Sequence, residues 1–407
     1  MKVLCFRLST KSRKTEIRYQ KQLNMKGKFP TNKFATLETP FYYYDVVLLQ
    51  QTLDIVKAES EKYGYEAHYA VKANANPKLL KVISAAGLGA DCVSGNEVKA
   101  CIEAGFPASK IVFAGVGKTD KEINYALDQN IFCFNVESVP ELEILNELAA
   151  AKNKTASVAI RVNPNVDGHT HFKITTGLDE NKFGVNLETL PCVIKLITSL
   201  PNIELIGLHF HIGSQITDLS CFENLCVRIN ELQDELESKS GITVKNINVG
   251  GGLGINYEHP NHLAIPDFES YFRVFHKHLR LREGQRLHYE PGRSVVAQCG
   301  SLITRVVFVK EGTVKKFVIA DAGFTDLIRP AMYGSYHRIE NITSDEACEI
   351  YDVVGPICES SDVFGNDREL NRTKRGDLLA IRSAGAYGEM MASQYNLREL
   401  PKAYLSN

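Results

Sequence analysis

The sequence predicts an α/β protein, a closed (β/α)8 barrel followed by an all-β domain that an N-terminal strand completes. Three observations carry this expectation. Eight short β-prone runs alternate with longer stretches of helical apolar spacing. Side chains suited to chemistry stand where those runs end. After about residue 295 the helical stretches thin out, and strand-like runs follow one another through turns.

The eight runs are HYAVKAN from residue 68, GADCVSG from 89, KIVFAGVG from 110, IFCFNVES from 131, SVAIRVNP from 157, LIGLHFHIGS from 205, VKNINVGGG from 244 and RLHYEPGR from 286. Between them, PKLLKVISAAG, SGNEVKACIEAG and SVPELEILNELAAAKN repeat apolar residues at helical spacing, and two of these finish on a glycine stop. Strand–helix alternation reads as a parallel sheet, and eight units close a TIM-type barrel. The later runs SLITRVVFVKEG, KKFVIADAG, CEIYDVVGPICE and DLLAIRSAGAYG form the all-β part, joined by TPFYYYD at 39–45. The expected division is 45–287 for the barrel, with 26–44 and 288–407 for the β-domain.

Length and composition are consistent with this and exclude some functions. A chain of 407 residues is too long for one small core. Lys+Arg 47 against Asp+Glu 48 leaves a net charge of −1, with no basic footprint for nucleic acid. No run of 18 apolar residues exists to span a membrane. The ten cysteines include no Cys-x-x-Cys pair and no zinc-finger spacing, which points to free thiols in a reducing cytoplasm. The first 24 residues carry seven Lys/Arg and one acid. Their longest apolar run, VLCF, is too short for a secretory signal. A transit peptide and an upstream start codon ahead of Met25 are alternatives to the favoured reading, a disordered or artefactual extension over 1–25.

In a barrel of this kind chemistry gathers at the C-terminal strand ends. Here those ends carry Lys72, Asp91, Arg161, His211, Gly250–Gly252 and Glu290. A lysine that forms a Schiff base must shed its proton, so a half-buried position with a depressed pKa suits it. Pyridoxal phosphate fits such a lysine, because its aldehyde binds the amine and its ring accepts electrons. The ring needs a carboxylate beside its nitrogen, which Glu290 offers, and its phosphate needs bulk-free backbone N–H groups, which NVGGGLG offers. Ser214 in HFHIGSQ can add a hydroxyl, and His211 can stack on the ring.

Each feature has a plainer alternative. Lys72 could snorkel to water, NVGGGLG could be a tight turn, and Glu290 could pair with Arg293. His209 and His211 could be core histidines or a metal pair. A metal would need further ligands, and the strand ends add only Asp91, so no metal is expected.

Taken in order, TPFYYYD, HYAVKAN, DCVSGNE, KFGV, GLHFHIGSQ, NVGGGLG, EPGRS, ADAGFTDLIRPAMYG, GPICESSD and GAYGEMMASQYN resemble the diaminopimelate decarboxylases, from about residue 37 to 397. These are pyridoxal-phosphate enzymes with an alanine-racemase-like barrel and a β-domain. The resemblance implies Lys72 as the Schiff-base lysine and His211 as the ring-stacking histidine. It assigns Gly251, Gly252, Glu290, Pro291, Gly292 and Arg293 to the phosphate and pyridine nitrogen. It implies a homodimer in which Cys358, the proton donor, and Glu359 enter the partner's site. Arg293, Arg329, Tyr333, Glu359 and Tyr387 would bind the substrate, meso-2,6-diaminopimelate, with Tyr387 also near the phosphate. Without the resemblance, Arg329 would read as a surface or interface ion pair. Two departures stand out: the chain closes with LRELPKAYLSN where relatives carry an arginine–proline-rich run, and the first 24 residues match nothing in the family.

Overall fold

The structure, a computed structural model, describes residues 26–166 and 182–406. The expected extension over 1–25 lies outside the described residues. The first strand, β1 (Phe41–Tyr44), belongs to the second domain, and the helix Val46–Glu61 then leads into the barrel. There follow β2 (Glu66–Ala70), β3 (Gly89–Cys92), β4 (Ile111–Phe113), β5 (Cys133–Val136) and β6 (Ala156–Asn163). A two-residue strand, β7 (Val185–Asn186), adds to the end of β6. The circle is completed by β8 (Ile203–His209), β9 (Asn246–Asn248) and β10 (Arg286–Tyr289). The order β5-β4-β3-β2-β10-β9-β8-β6 closes through a β5–β6 pairing, so the eight expected runs are the eight staves of one parallel barrel.

The outer helices form where caps and apolar spacing agree. Pro77–Ala85 starts with Asn76, whose side chain accepts from the Lys78 N–H, and buries Leu79, Leu80 and Ile83 against the barrel. Gly95–Ala104 is capped by Ser94 and stops at Gly105, whose φ of +95° suits a residue without Cβ. Asp120–Gln129 opens with a full capping box between Thr119 and Glu122. These caps fix where each helix begins, and so the length of each loop between a strand end and the next helix.

The second domain contains β11 (Gly300–Glu311), β12 (Lys316–Ala320), β13 (Ile339–Asn341), β14 (Cys348–Val354), β15 (Val363–Asn371), β16 (Leu378–Ile381) and β17 (Lys402–Leu405). Its order is β13-β16-β11-β12-β14-β15, with β1 antiparallel to β11 and parallel to β17. Four of these strands match the expected runs, and β1 joins them as foreseen. Strands β13, β15 and β17 are additions to the reading. The expected boundary at 287/288 falls inside β10, because Arg286–His288 pair with β9; the barrel runs to Tyr289. Among the described residues no helix is long and apolar enough to cross a membrane.

Candidate active site

Lys72 stands in a single 3-10 turn, Val71–Ala73, immediately after β2, so Val71 has already left the strand. The turn is fixed by Asn74. Its amide donates to Tyr44 Oη (2.7 Å) and to the Gly385 carbonyl (2.8 Å), while its Oδ1 accepts from the Asn76 N–H (2.9 Å). The Tyr387 N–H donates to the Ala73 carbonyl at 2.8 Å. The backbone carrying Lys72 is thereby tied to the second domain. Its side chain, 40% exposed, projects into a cavity of about 570 Å³.

That cavity is lined by Lys72, His211, Ser214, Gly251, Gly252, Glu290, Gly292, Arg293, Arg329, Tyr333 and Tyr387 among others. Eleven of the fourteen expected site residues therefore meet on one surface. Pro291 contributes through its backbone, its carbonyl accepting from the Ala70 N–H at 3.1 Å. Cys358 and Glu359 are exposed on the loop between β14 and β15 and do not line the cavity of their own chain. The Cys358 N–H donates to Asn396 Oδ1 (3.1 Å), and Tyr395 Oη donates to Glu359 Oε1 (3.3 Å).

Glu290 follows β10 and is buried. It accepts from the amides of Asn248 (2.7 Å) and Asn135 (3.2 Å) and from His209 Nε2 (3.0 Å). Burial raises its pKa, but the charge and hydrogen bond of His209, with Lys72 nearby, outweigh that and hold the carboxyl well below the usual range. Glu290 is thus a fixed carboxylate, and its partners are these three groups rather than Arg293. With its Nε2–H committed to Glu290, His209 is a supporting residue of that carboxylate. Among the described residues no cluster of three His, Cys, Asp or Glu side chains could cage a metal.

Lys72 departs from expectation. Burial pulls its pKa down, but Asp91, whose Oδ2 lies 3.7 Å from the amine, then Tyr387 and Glu290, turn the net shift upward. The lysine is a held cation. Neither Asp91 oxygen has a hydrogen-bond partner among the described residues, so the carboxylate and the amine face each other across the cavity floor. His211 accepts from the Gly251 N–H at Nδ1 (3.3 Å), and burial, then Lys72 and Arg161, keep its imidazole neutral by pushing its pKa well down.

The glycine run has the shape a phosphate needs. Gly250 and Gly252 have φ of +68° and +119°. A Cβ at Gly251 would press on the Glu290 carbonyl. Above this cradle lie two buried cations. Arg293, 5% exposed, donates to Ser214 Oγ (3.0 Å) and Tyr257 Oη (2.6 Å). Arg329, 6% exposed, donates to His337 Nε2 (3.3 Å), Ser335 Oγ (3.2 Å) and Tyr257 Oη (3.4 Å). Among the described residues neither arginine has a carboxylate within ion-pair distance. An adjoining cleft of about 670 Å³ shares Arg293, Arg329 and Tyr333 with the cavity and extends it past Tyr257.

The residues present fit pyridoxal phosphate: an amine to capture the aldehyde, a fixed carboxylate for the ring nitrogen and a glycine cradle for the phosphate. A barrel bearing this constellation defines a pyridoxal-phosphate-dependent decarboxylase, and residues 50–297 match the family model described as the pyridoxal binding domain of pyridoxal-dependent decarboxylases. Within that class the chain belongs to the diaminopimelate decarboxylase family. It is 63% identical over 384 residues to the diaminopimelate decarboxylase of Bacteroides thetaiotaomicron, covering 94% of this chain and 99% of that one. It is 42% identical over 367 residues to that of Aquifex aeolicus, covering 89% and 85%. The crystal structure of diaminopimelate decarboxylase from Helicobacter pylori complexed with L-lysine superposes with a TM-score of 0.87 at 38% identity, covering 93% of this chain and 94% of that one.

Proposed function

We propose that the chain converts meso-2,6-diaminopimelate to L-lysine and CO₂, the last step of lysine biosynthesis, at the cavity around Lys72. One observation carries the choice of substrate: Arg293 and Arg329 are buried beside the cavity and, among the described residues, are held only by neutral acceptors. Two desolvated guanidinium groups call for an anionic ligand, and a carboxylate matches their geometry. Diaminopimelate has a carboxylate remote from the bond that breaks. Ornithine ends in an ammonium alone, which these cations would repel.

Pyridoxal phosphate, when bound, supplies the aldehyde for Lys72 and a ring that draws electrons from the carbon losing CO₂. The protein's own groups do the rest. Asp91 stands where it can take the proton that the Lys72 ammonium must release. Glu290, ionised and triply hydrogen-bonded, presents a fixed negative charge to the ring nitrogen. Neutral His211 offers a flat face without competing charge. Gly251 and Gly252, with Gly292, Ser214 and Tyr387, receive the phosphate. Arg293, Arg329, Tyr333 and Tyr387 hold the substrate. Cys358 and Glu359 come from a second copy of the chain in a homodimer. The Cys358 thiol gives the proton that replaces the departing carboxylate, and Glu359 meets the distal ammonium. Their exposure on the β14–β15 loop, away from their own cavity, supports this. The nine described cysteines are free, Cys92 and Cys101 lying 3.7 Å apart among them, which supports a reducing cytoplasm.

The test is CO₂ release by purified protein with pyridoxal phosphate, offered meso-diaminopimelate beside ornithine, arginine and carboxynorspermidine. Diaminopimelate should be strongly preferred, and Lys72→Ala should lose both turnover and the near-ultraviolet cofactor absorbance. Preference for ornithine, or an unaltered spectrum in Lys72→Ala, would overturn the reading.

A further inference from the structure

The acceptors around Arg329 are unusual for a buried cation, because a carboxylate is the ordinary partner. Here Arg329 Nε points instead at His337 Nε2 (3.3 Å). His337 is fully buried, and its other nitrogen, Nδ1, lies 2.9 Å from the Arg382 carbonyl. A carbonyl can only accept, so Nδ1 carries the hydrogen and Nε2 is left as a lone pair aimed at the guanidinium. The Tyr257 ring packs edge-on against the imidazole at 5.0 Å and closes the other side. Burial, and after it the charge of Arg329, push the imidazole down to about 3, so the neutral form holds at working pH.

A carboxylate in this place would fix Arg329 equally well, but it would cancel the charge and compete with an anionic ligand. A neutral acceptor orients the guanidinium and leaves its charge available. We propose that His337 is a positioning residue of the substrate-carboxylate site: its Nε2 lone pair aims Arg329 into the cavity without neutralising it. This rests on the decarboxylase reading above and assigns the residue that prepares Arg329 for its ligand.

Two substitutions separate the functions of the two ring nitrogens. His337→Asn keeps a donor for the Arg382 carbonyl but cannot reach Arg329. His337→Gln puts an amide oxygen where Nε2 stood. The holoenzymes are titrated calorimetrically with L-lysine and with cadaverine, the same molecule without its carboxylate. In His337→Asn, lysine affinity should fall about tenfold or more, as for a lost hydrogen bond to a charged group. Cadaverine affinity should stay within about twofold, and His337→Gln should recover most of the loss for lysine. KM for meso-diaminopimelate should rise in step, with kcat little changed. Unchanged lysine affinity in His337→Asn, equal losses for both ligands, or no recovery in His337→Gln would each overturn the proposal.

A measurement on the wild type avoids any folding defect in the variants. The ¹⁵N spectrum should show His337 as the neutral Nδ1–H tautomer at pH 7; an Nε2–H tautomer or an imidazolium would overturn the proposal too. Failure of the decarboxylase reading would look different, since the wild type itself would then release no CO₂ from diaminopimelate.

Discussion

At the scale of single residues, the site is a set of charges whose neighbours decide their form. Glu290 is the clearest case, since three donors from β5, β8 and β9 converge on it. Replacing it with glutamine turns one oxygen into an NH₂ that meets the His209 N–H, donor against donor. Glu290→Gln should therefore keep the fold and lose about a hundredfold or more in kcat, as for removal of a preorganised electrostatic group. Near-normal turnover would deny it the ring-nitrogen role. The sequence revealed Lys72, His211, the glycines and Glu290 because they stand at strand ends. It concealed the residues beneath them. Asn135 and Asn248 lie inside strands and drew no reading, and Asp91 was weighed only as a strand end and a possible metal ligand. The signal was present in the alternation: His288 on β10 and Glu290 just past its end, like Asn246 and Asn248 on β9, lie two apart, the spacing that puts side chains on one face. Tyr257 and His337 gave no such signal, because they reach Arg329 from loops.

At the scale of elements, the turn after β2 is joined to the segment after β16. Asn74 bonds Tyr44 and Gly385; Tyr44 Oη donates to Glu389 Oε2 (2.6 Å), and Asn76 donates to Glu389 Oε1 (3.0 Å). Lys72 and Tyr387 thus share one buried polar anchor, although 315 residues separate them. Asn74→Ala would leave the Gly385 carbonyl and the Tyr44 hydroxyl short of a donor. It should lower unfolding free energy by about 1–3 kcal/mol and reduce kcat as well. Urea denaturation beside steady-state kinetics checks both, and an unchanged midpoint would show that these bonds contribute nothing. The eight barrel staves were legible because each is a short apolar run beside a capped helix. The strands β13, β15 and β17 were not. Val363–Asn371 is mostly polar, and Lys402–Leu405 owes its form to a partner, β1, at the far end of the sequence.

At the scale of the whole molecule, buried neutral histidines link stability to pH. Burial is the main cause holding His288 and His337 each at about 3, against 6.5 for the free side chain. Their folded pKa values are depressed, so their contribution is complete above about pH 6.5 and is lost as the unfolded chain takes up protons below it. Asp326, pushed up to about 6 chiefly by burial, works the other way and offsets part of the loss. These three groups together should lower stability by about 1 kcal/mol between pH 7 and pH 6, read as a lower urea midpoint. A midpoint that rises on acidification would show that these imidazoles carry charge in the folded state.

The pairing of β1 between β11 and β17 also orders events in time. Tyr44 is among the first described residues a ribosome would release, yet its strand finds its parallel neighbour only when Lys402–Leu405 emerges, and Tyr387 appears shortly before that. A growing polypeptide can wind its cylinder early, but the wall that frames Lys72 waits for the tail. A chain cut short before Lys402 would therefore yield a barrel with its mouth unfinished.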